Sequence, residues 1–73
     1  MADLALQSEV AGTVWKVEVR EGDAVVADQP LVIFESMKME IPLAAPRAGT
    51  VLRLLVAEGE VVDEGQDVVV VRV

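Results

Sequence analysis

Apolar and polar residues alternate along much of this chain in the two-residue rhythm of β-strands, and no stretch follows the 3.6-residue period of a helix. Thr13-Val14-Trp15-Lys16-Val17-Glu18-Val19-Arg20 shows the rhythm best. Strict alternation puts Val14, Lys16, Glu18 and Arg20 on one face and Thr13, Trp15, Val17 and Val19 on the other, which reads as a half-buried strand. The segments 31–37, 39–44, 50–56 and 67–73 also read as strands, with shorter ones near 4–7, 24–27 and 61–63. Turn formers separate them: Glu21-Gly22-Asp23, Asp28-Gln29-Pro30, Pro46-Arg47-Ala48-Gly49, Glu58-Gly59-Glu60 and Glu64-Gly65-Gln66. Many short strands at close spacing predict a small all-β sandwich or barrel.

The chain also repeats itself with an offset of 37 residues, as from Gly12 to Gly49. Ala11-Gly12-Thr13-Val14 recurs as Ala48-Gly49-Thr50-Val51. Val19, Glu21, Gly22 and Val25 recur as Val56, Glu58, Gly59 and Val62, and Gln29 and Val32 as Gln66 and Val69. These ten identities relate residues 8–35 to 45–72. A shared liking for valine explains the valines, but not the matched glycines, glutamates and glutamines. The expectation is one domain over residues 1–73, made of two equivalent four-strand units. Neither unit can bury a hydrophobic face alone, so the two should pack on each other as a pair of antiparallel sheets about an approximate twofold axis. The segment joining the units is Glu35-Ser36-Met37-Lys38-Met39-Glu40.

Composition narrows the chemistry. With 73 residues there is room for one thin core. Cysteine and histidine are both absent, which removes disulfides, thiolate metal sites, Cys or His nucleophiles and the commonest general base. The net charge of −7 opposes binding to nucleic acid or anionic membrane. No apolar run approaches the ~20 residues of a membrane span, and no signal-peptide pattern opens the chain. The default location is cytoplasmic. Starting at Met1 without a Pro/Ala-rich linker, the chain reads as a free-standing protein, though an excised domain would read much the same.

Only two lysines are present, Lys16 and Lys38. Lys16 lies on a polar strand face beside Glu18 and Arg20 and reads as surface. Lys38 is bracketed by Met37 and Met39, the chain's only methionines besides Met1. A two-residue turn at Met37-Lys38 places the lysine at an exposed tip. Such turns demand positive backbone angles and favour Asn and Gly, so Met-Lys is a poor conformational choice. A local mismatch at an exposed position points to function. Lysine in neutral water is nearly all ammonium, a weak nucleophile until a partner enzyme activates an acyl group and removes its proton.

The junction resembles the attachment motif of biotin carboxyl carrier proteins and biotinyl domains, which reads Glu, a small residue, then Met-Lys-Met: here Glu35, Ser36, Met37, Lys38 and Met39. The resemblance continues through Ala45-Pro46-Arg47-Ala48-Gly49-Thr50-Val51. The paired turns Glu21-Gly22-Asp23-Ala24-Val25 and Glu58-Gly59-Glu60-Val61-Val62 carry it further, so that it covers roughly residues 8–73. It implies a flattened barrel of two four-stranded sheets, a barrel-sandwich hybrid, whose chain ends lie far from the lysine. It implies covalent biotin on Lys38, placed there by biotin protein ligase through biotinyl-adenylate, with Met37 and Met39 helping partner enzymes accept the hairpin. It further implies that a carboxyl group is shuttled between biotin carboxylase and carboxyltransferase sites, the chain itself being a carrier and not an enzyme. Ser36 stands where the family often has alanine. Asp28 stands where the second half has Gly65, and Asp tolerates left-handed backbone well enough to keep that turn.

Two other readings share the fold. A lipoyl carrier usually has Asp-Lys-Ala at the tip, so the paired methionines favour biotin. An unmodified structural module has no need of Glu35, Met37, Lys38 and Met39 together.

Overall fold

The computed structural model describes residues 2–73. Eight strands form: β1 (Asp3–Gln7), β2 (Gly12–Val17), β3 (Ala24–Val25), β4 (Pro30–Ser36), β5 (Met39–Ala44), β6 (Gly49–Leu54), β7 (Val61–Val62) and β8 (Asp67–Arg72). They make two four-stranded antiparallel sheets, ordered β1-β8-β6-β3 and β5-β4-β2-β7, and the described residues contain no helix. The predicted all-β class and pair of sheets are found.

The halves are interleaved, which corrects the picture of one four-strand unit packed on another. Each sheet takes two strands from each half: β1 and β3 join β6 and β8, while β2 and β4 join β5 and β7. A short edge strand from one half completes the sheet of the other, so neither half has a complete sheet of its own. Between the sheets lies a core mainly of valine, with Phe34 and Leu31 its largest fully buried side chains. Each buried side chain of this size contributes about 1.5–3 kcal/mol.

Contacts at the turns come in pairs 37 residues apart. The Leu54 amide donates to the Glu21 carboxylate at 3.1 Å, and the Val17 amide to the Glu58 carboxylate at 2.9 Å. Gly22 N–H donates to the Val51 carbonyl and Gly59 N–H to that of Val14, at 2.7 and 2.8 Å. The Gln29 side chain caps the Val26 amide as Gln66 caps that of Asp63. The glutamates and glycines common to the two halves therefore hold each turn to the opposite half, while the common glutamine side chains close their own turns locally. Gly22 and Gly59 adopt φ of +94° and +92°, where a Cβ is strained. Asp28 takes φ +68° where Gly65 takes +84°, so that turn survives the departure from glycine.

Strict alternation fails at Trp15. The register of β2 against β4 slips between Val14 and Lys16, and that of β6 against β8 slips at the corresponding place, between Val51 and Arg53. The extra residue of this β-bulge shifts the phase of the strand. Val14, expected on the polar face, is buried, whereas Trp15 is 48% exposed. The strand also stops at Val17 rather than running to Arg20, although Val19 beyond it is buried. β4, β6, β3, β7 and β8 likewise end one or two residues before the sequence limits.

Candidate functional site

β4 and β5 form a hairpin whose register runs Phe34↔Ile41, Glu35↔Glu40 and Ser36↔Met39, leaving Met37 and Lys38 as a two-residue loop. Both loop residues have positive φ, +53° at Met37 and +64° at Lys38. These are the angles of a type I′ turn, whose twist matches that of the flanking strands. Each costs a residue with a Cβ on the order of 1–2 kcal/mol. Met37→Asn should relieve part of that cost, because Asn accepts the left-handed region readily. We expect a gain of roughly 1 kcal/mol in stability, read as a higher urea midpoint with an unchanged slope. A lower midpoint would show that the turn is unstrained.

Met37 is 92% exposed and Met39 62%, and Lys38 between them is exposed as well. The side-chain ion pairs among the described residues are Lys16–Glu18 at 3.6 Å and Asp3–Arg72 at 2.9 Å. Lys38 is in neither. Lys38 is exposed in the two-residue loop of the β4–β5 hairpin, while Lys16 is engaged on the strand surface as expected.

Ser36, an expected site residue, turns out to anchor the hairpin. Its hydroxyl donates to the Ala11 carbonyl at 3.0 Å, tying the root of the loop to the start of β2. Gly12 is pressed against the same place: a Cβ there would lie 2.5 Å from the Glu35 carbonyl oxygen and 3.2 Å from the Ser36 Cβ. Position 12 therefore admits no side chain while the hairpin root keeps this place. Neither Ala11 nor Gly12 was singled out beside the lysine in the sequence reading. Their recurrence as Ala48-Gly49 was the available signal, since a Cβ on Gly49 would meet the Arg72 carbonyl in the same way.

Glu35 is exposed and lies directly opposite Glu40, another exposed carboxylate. Thr13 and Val61 complete the cross-strand row, giving Val61–Thr13–Glu35–Glu40 across the sheet one step behind Ser36 and Met39. Like charges facing each other across a ladder are destabilising. On the other sheet the corresponding row is Ala24–Thr50–Arg72–Asp3, where opposite charges meet. There the Arg72 guanidinium hydrogen-bonds the Asp3 carboxylate and holds its pKa below the usual carboxylate value.

The chain ends occupy, on that second sheet, the place the hairpin occupies on the first. Ala2 and Val73 exchange two backbone hydrogen bonds of 2.9 Å. From there β1 runs inward to Ser8, which pairs with Gln66, and the chain continues to Gly12 against Ser36. The ends and the lysine tip thus lie toward opposite extremes of a molecule 35 Å long and 17 Å wide. An open depression of about 540 Å³ between β1 and β5, bounded by Leu6, Ser8, Leu43, Pro46 and Glu64, contains none of the hairpin residues.

Taken together, this geometry defines a carrier-type module: a β-scaffold that presents the exposed Lys38 at a hairpin turn, outside the depression found among the described residues. The chain belongs to the biotin/lipoyl attachment family, whose description reads "Biotin-requiring enzyme" and which it matches over residues 4–71. It is 44% identical over 62 residues to the biotin/lipoyl attachment protein of Bacillus subtilis, covering 85% of each chain. It is 46% identical over 43 residues to a putative urea carboxylase of Emericella nidulans, covering 59% of this chain and 4% of that protein. Among solved structures, a single-chain, multi-domain long-chain acyl-CoA carboxylase superposes with a TM-score of 0.90 at 42% identity, covering 94% of this chain and 7% of that one. The Kluyveromyces lactis urea carboxylase gives 0.91 at 33% identity, covering 99% and 6%. The chain therefore spans most of one small relative and only a few per cent of the carboxylases whose carrier domains it resembles. No helix among the described residues is long and apolar enough to cross a membrane.

Proposed function

We propose that this protein is a biotin carboxyl carrier, accepting biotin on Lys38 and serving a biotin-dependent carboxylase. The observation that carries the reading is the free, outward lysine at a strained Met37-Lys38 turn, within a family of attachment domains. The ε-amine fits the group: it is exposed, unpaired by any described carboxylate, and on a bend thin enough to enter an enzyme cleft. Acylation by a biotin protein ligase forms an amide between the biotin carboxyl carbon and the Lys38 nitrogen, releases AMP from biotinyl-adenylate and sheds one amine proton. Met37 and Met39 offer flexible, polarizable surface on either side of the reacting nitrogen, while Ser36 and Gly12 fix the hairpin root. Biotin, once bound, supplies a ring nitrogen that takes up and gives back a carboxyl group. The partners that add and remove it are biotin carboxylase and carboxyltransferase sites, in keeping with relatives that are themselves carboxylases.

The paired methionines favour biotin over lipoate, and a relative in Mycolicibacterium smegmatis is described as a biotinylated protein, 45% identical over 40 residues. The deciding experiment is intact mass after incubation with ATP and either a biotin ligase and biotin or a lipoate ligase and lipoate. One added biotinyl group, and no lipoyl group, is the expected result. A lipoyl adduct, or no adduct with either ligase, would overturn it.

A further inference from the structure

The two sheets provide an internal control, because every position on the outer face of one has a counterpart 37 residues away on the other. What the fold requires should appear on both faces; what appears on one only is required by something else. The rows Val61–Thr13–Glu35–Glu40 and Ala24–Thr50–Arg72–Asp3 differ in that way. Val61, 74% exposed, replaces an alanine. Two facing carboxylates replace an ion pair. At the bulge, Trp15 replaces Leu52 and stays half exposed, about three residue steps, or roughly 10 Å, behind the Ser36/Met39 row. All three changes lie on the sheet that bears Lys38, whereas the exposed apolar residues beside the other sheet, Val26 and Leu55, lie just past the ends of β3 and β6 and outside the compared rows. Exposed tryptophan and unneutralised charge beside exposed methionines have the character of an interface.

The geometry points to a docking surface on the outer face of the β5-β4-β2-β7 sheet, anchored by Trp15 and Val61, for the ligase that acylates Lys38. This rests on Lys38 being the acceptor. The lysine side chain reaches roughly 6 Å from its Cα through five single bonds. An enzyme that must contact the nitrogen itself therefore closes over the tip, and the Glu35/Glu40 row lies only about 7 Å behind it. Carboxylase sites act at the far end of the much longer biotinylated arm and need less of the sheet. The facing carboxylates call for basic side chains on the ligase, and Trp15 and Val61 for an apolar recess beside them.

The test is steady-state biotinylation by a purified biotin protein ligase at saturating biotin and MgATP, varying carrier concentration, with thermal midpoints measured in parallel. Trp15→Leu installs the residue the fold already accepts at the counterpart position, and Val61→Ala does the same on the edge strand. Together they should raise the KM for carrier about tenfold with kcat within twofold, while Leu55→Ala beside the other sheet leaves both unchanged. Glu40→Lys should raise the thermal midpoint by pairing with Glu35, yet raise KM and flatten its dependence on salt. A KM for the double variant within twofold of the unaltered protein would overturn the proposal. So would a defect confined to carboxylase turnover of carrier already biotinylated, which would assign the face to the carboxylase. If the unaltered protein takes up no biotin, the acceptor reading itself fails, a separate and recognisable outcome.

Discussion

Lys38→Arg is expected to abolish the proposed biotin incorporation while leaving the fold intact: intact mass after ligase treatment should show no adduct, and the thermal midpoint should stay within a degree or two of the original. The first half follows from chemistry. A guanidinium keeps its proton at any accessible pH, so arginine preserves charge and approximate length but offers no free amine. The second half follows from exposure, since Lys38 is in neither described ion pair and surface substitutions rarely change stability by more than about 0.5 kcal/mol. The only other lysine, Lys16, is held by Glu18 on the strand surface at 3.6 Å, away from any projecting turn. Adduct persisting in Lys38→Arg would move the attachment site there.

The largest effect on stability is expected at Phe34. It is fully buried, the largest side chain in the core, and paired in register with Val14 on one side and Ile41 on the other. Phe34→Ala should cost about 3–5 kcal/mol, transfer and cavity together. For 73 residues, total stability is on the order of 4–11 kcal/mol, so this one change removes a large part of it. Urea unfolding should show a midpoint lowered by a third or more. A loss below about 1 kcal/mol would mean that the core refills the space from β5. Because Phe34 lies three residues before the turn, the variant should also show faster amide exchange along β4 and β5 than in β6 and β8.

Much of this was legible in the chain. Turns announced themselves through glycine at Gly22, Gly59 and Gly65, and through aspartate at Asp28, because only a few residue types accept positive φ. The tip could be located because Met37-Lys38 breaks that same rule. The fate of Trp15 was hidden. A bulge is a property of how a strand meets its neighbours, and nothing in Thr13-Val14-Trp15-Lys16 states that the register slips there. The interleaving of the halves was hidden for a similar reason. Identities between Glu21 and Glu58 reveal that two places are equivalent, but not that each carboxylate caps an amide of the opposite half. Nor does a one-dimensional pattern show Glu35 facing Glu40. Their opposition depends on the hairpin loop having two residues, since one more would set Glu35 across from a different neighbour.

The mutual hydrogen bonding of Ala2 and Val73 has a bearing on architecture. A polypeptide extended from both ends would enter and leave through a single doorway, so the module can be spliced into a surface loop of a larger protein without being unwound. Flexible leashes at that doorway would let the whole body swing with the lysine at its outermost radius. The sweep of whatever group the lysine bears would then grow by nearly the length of the domain itself.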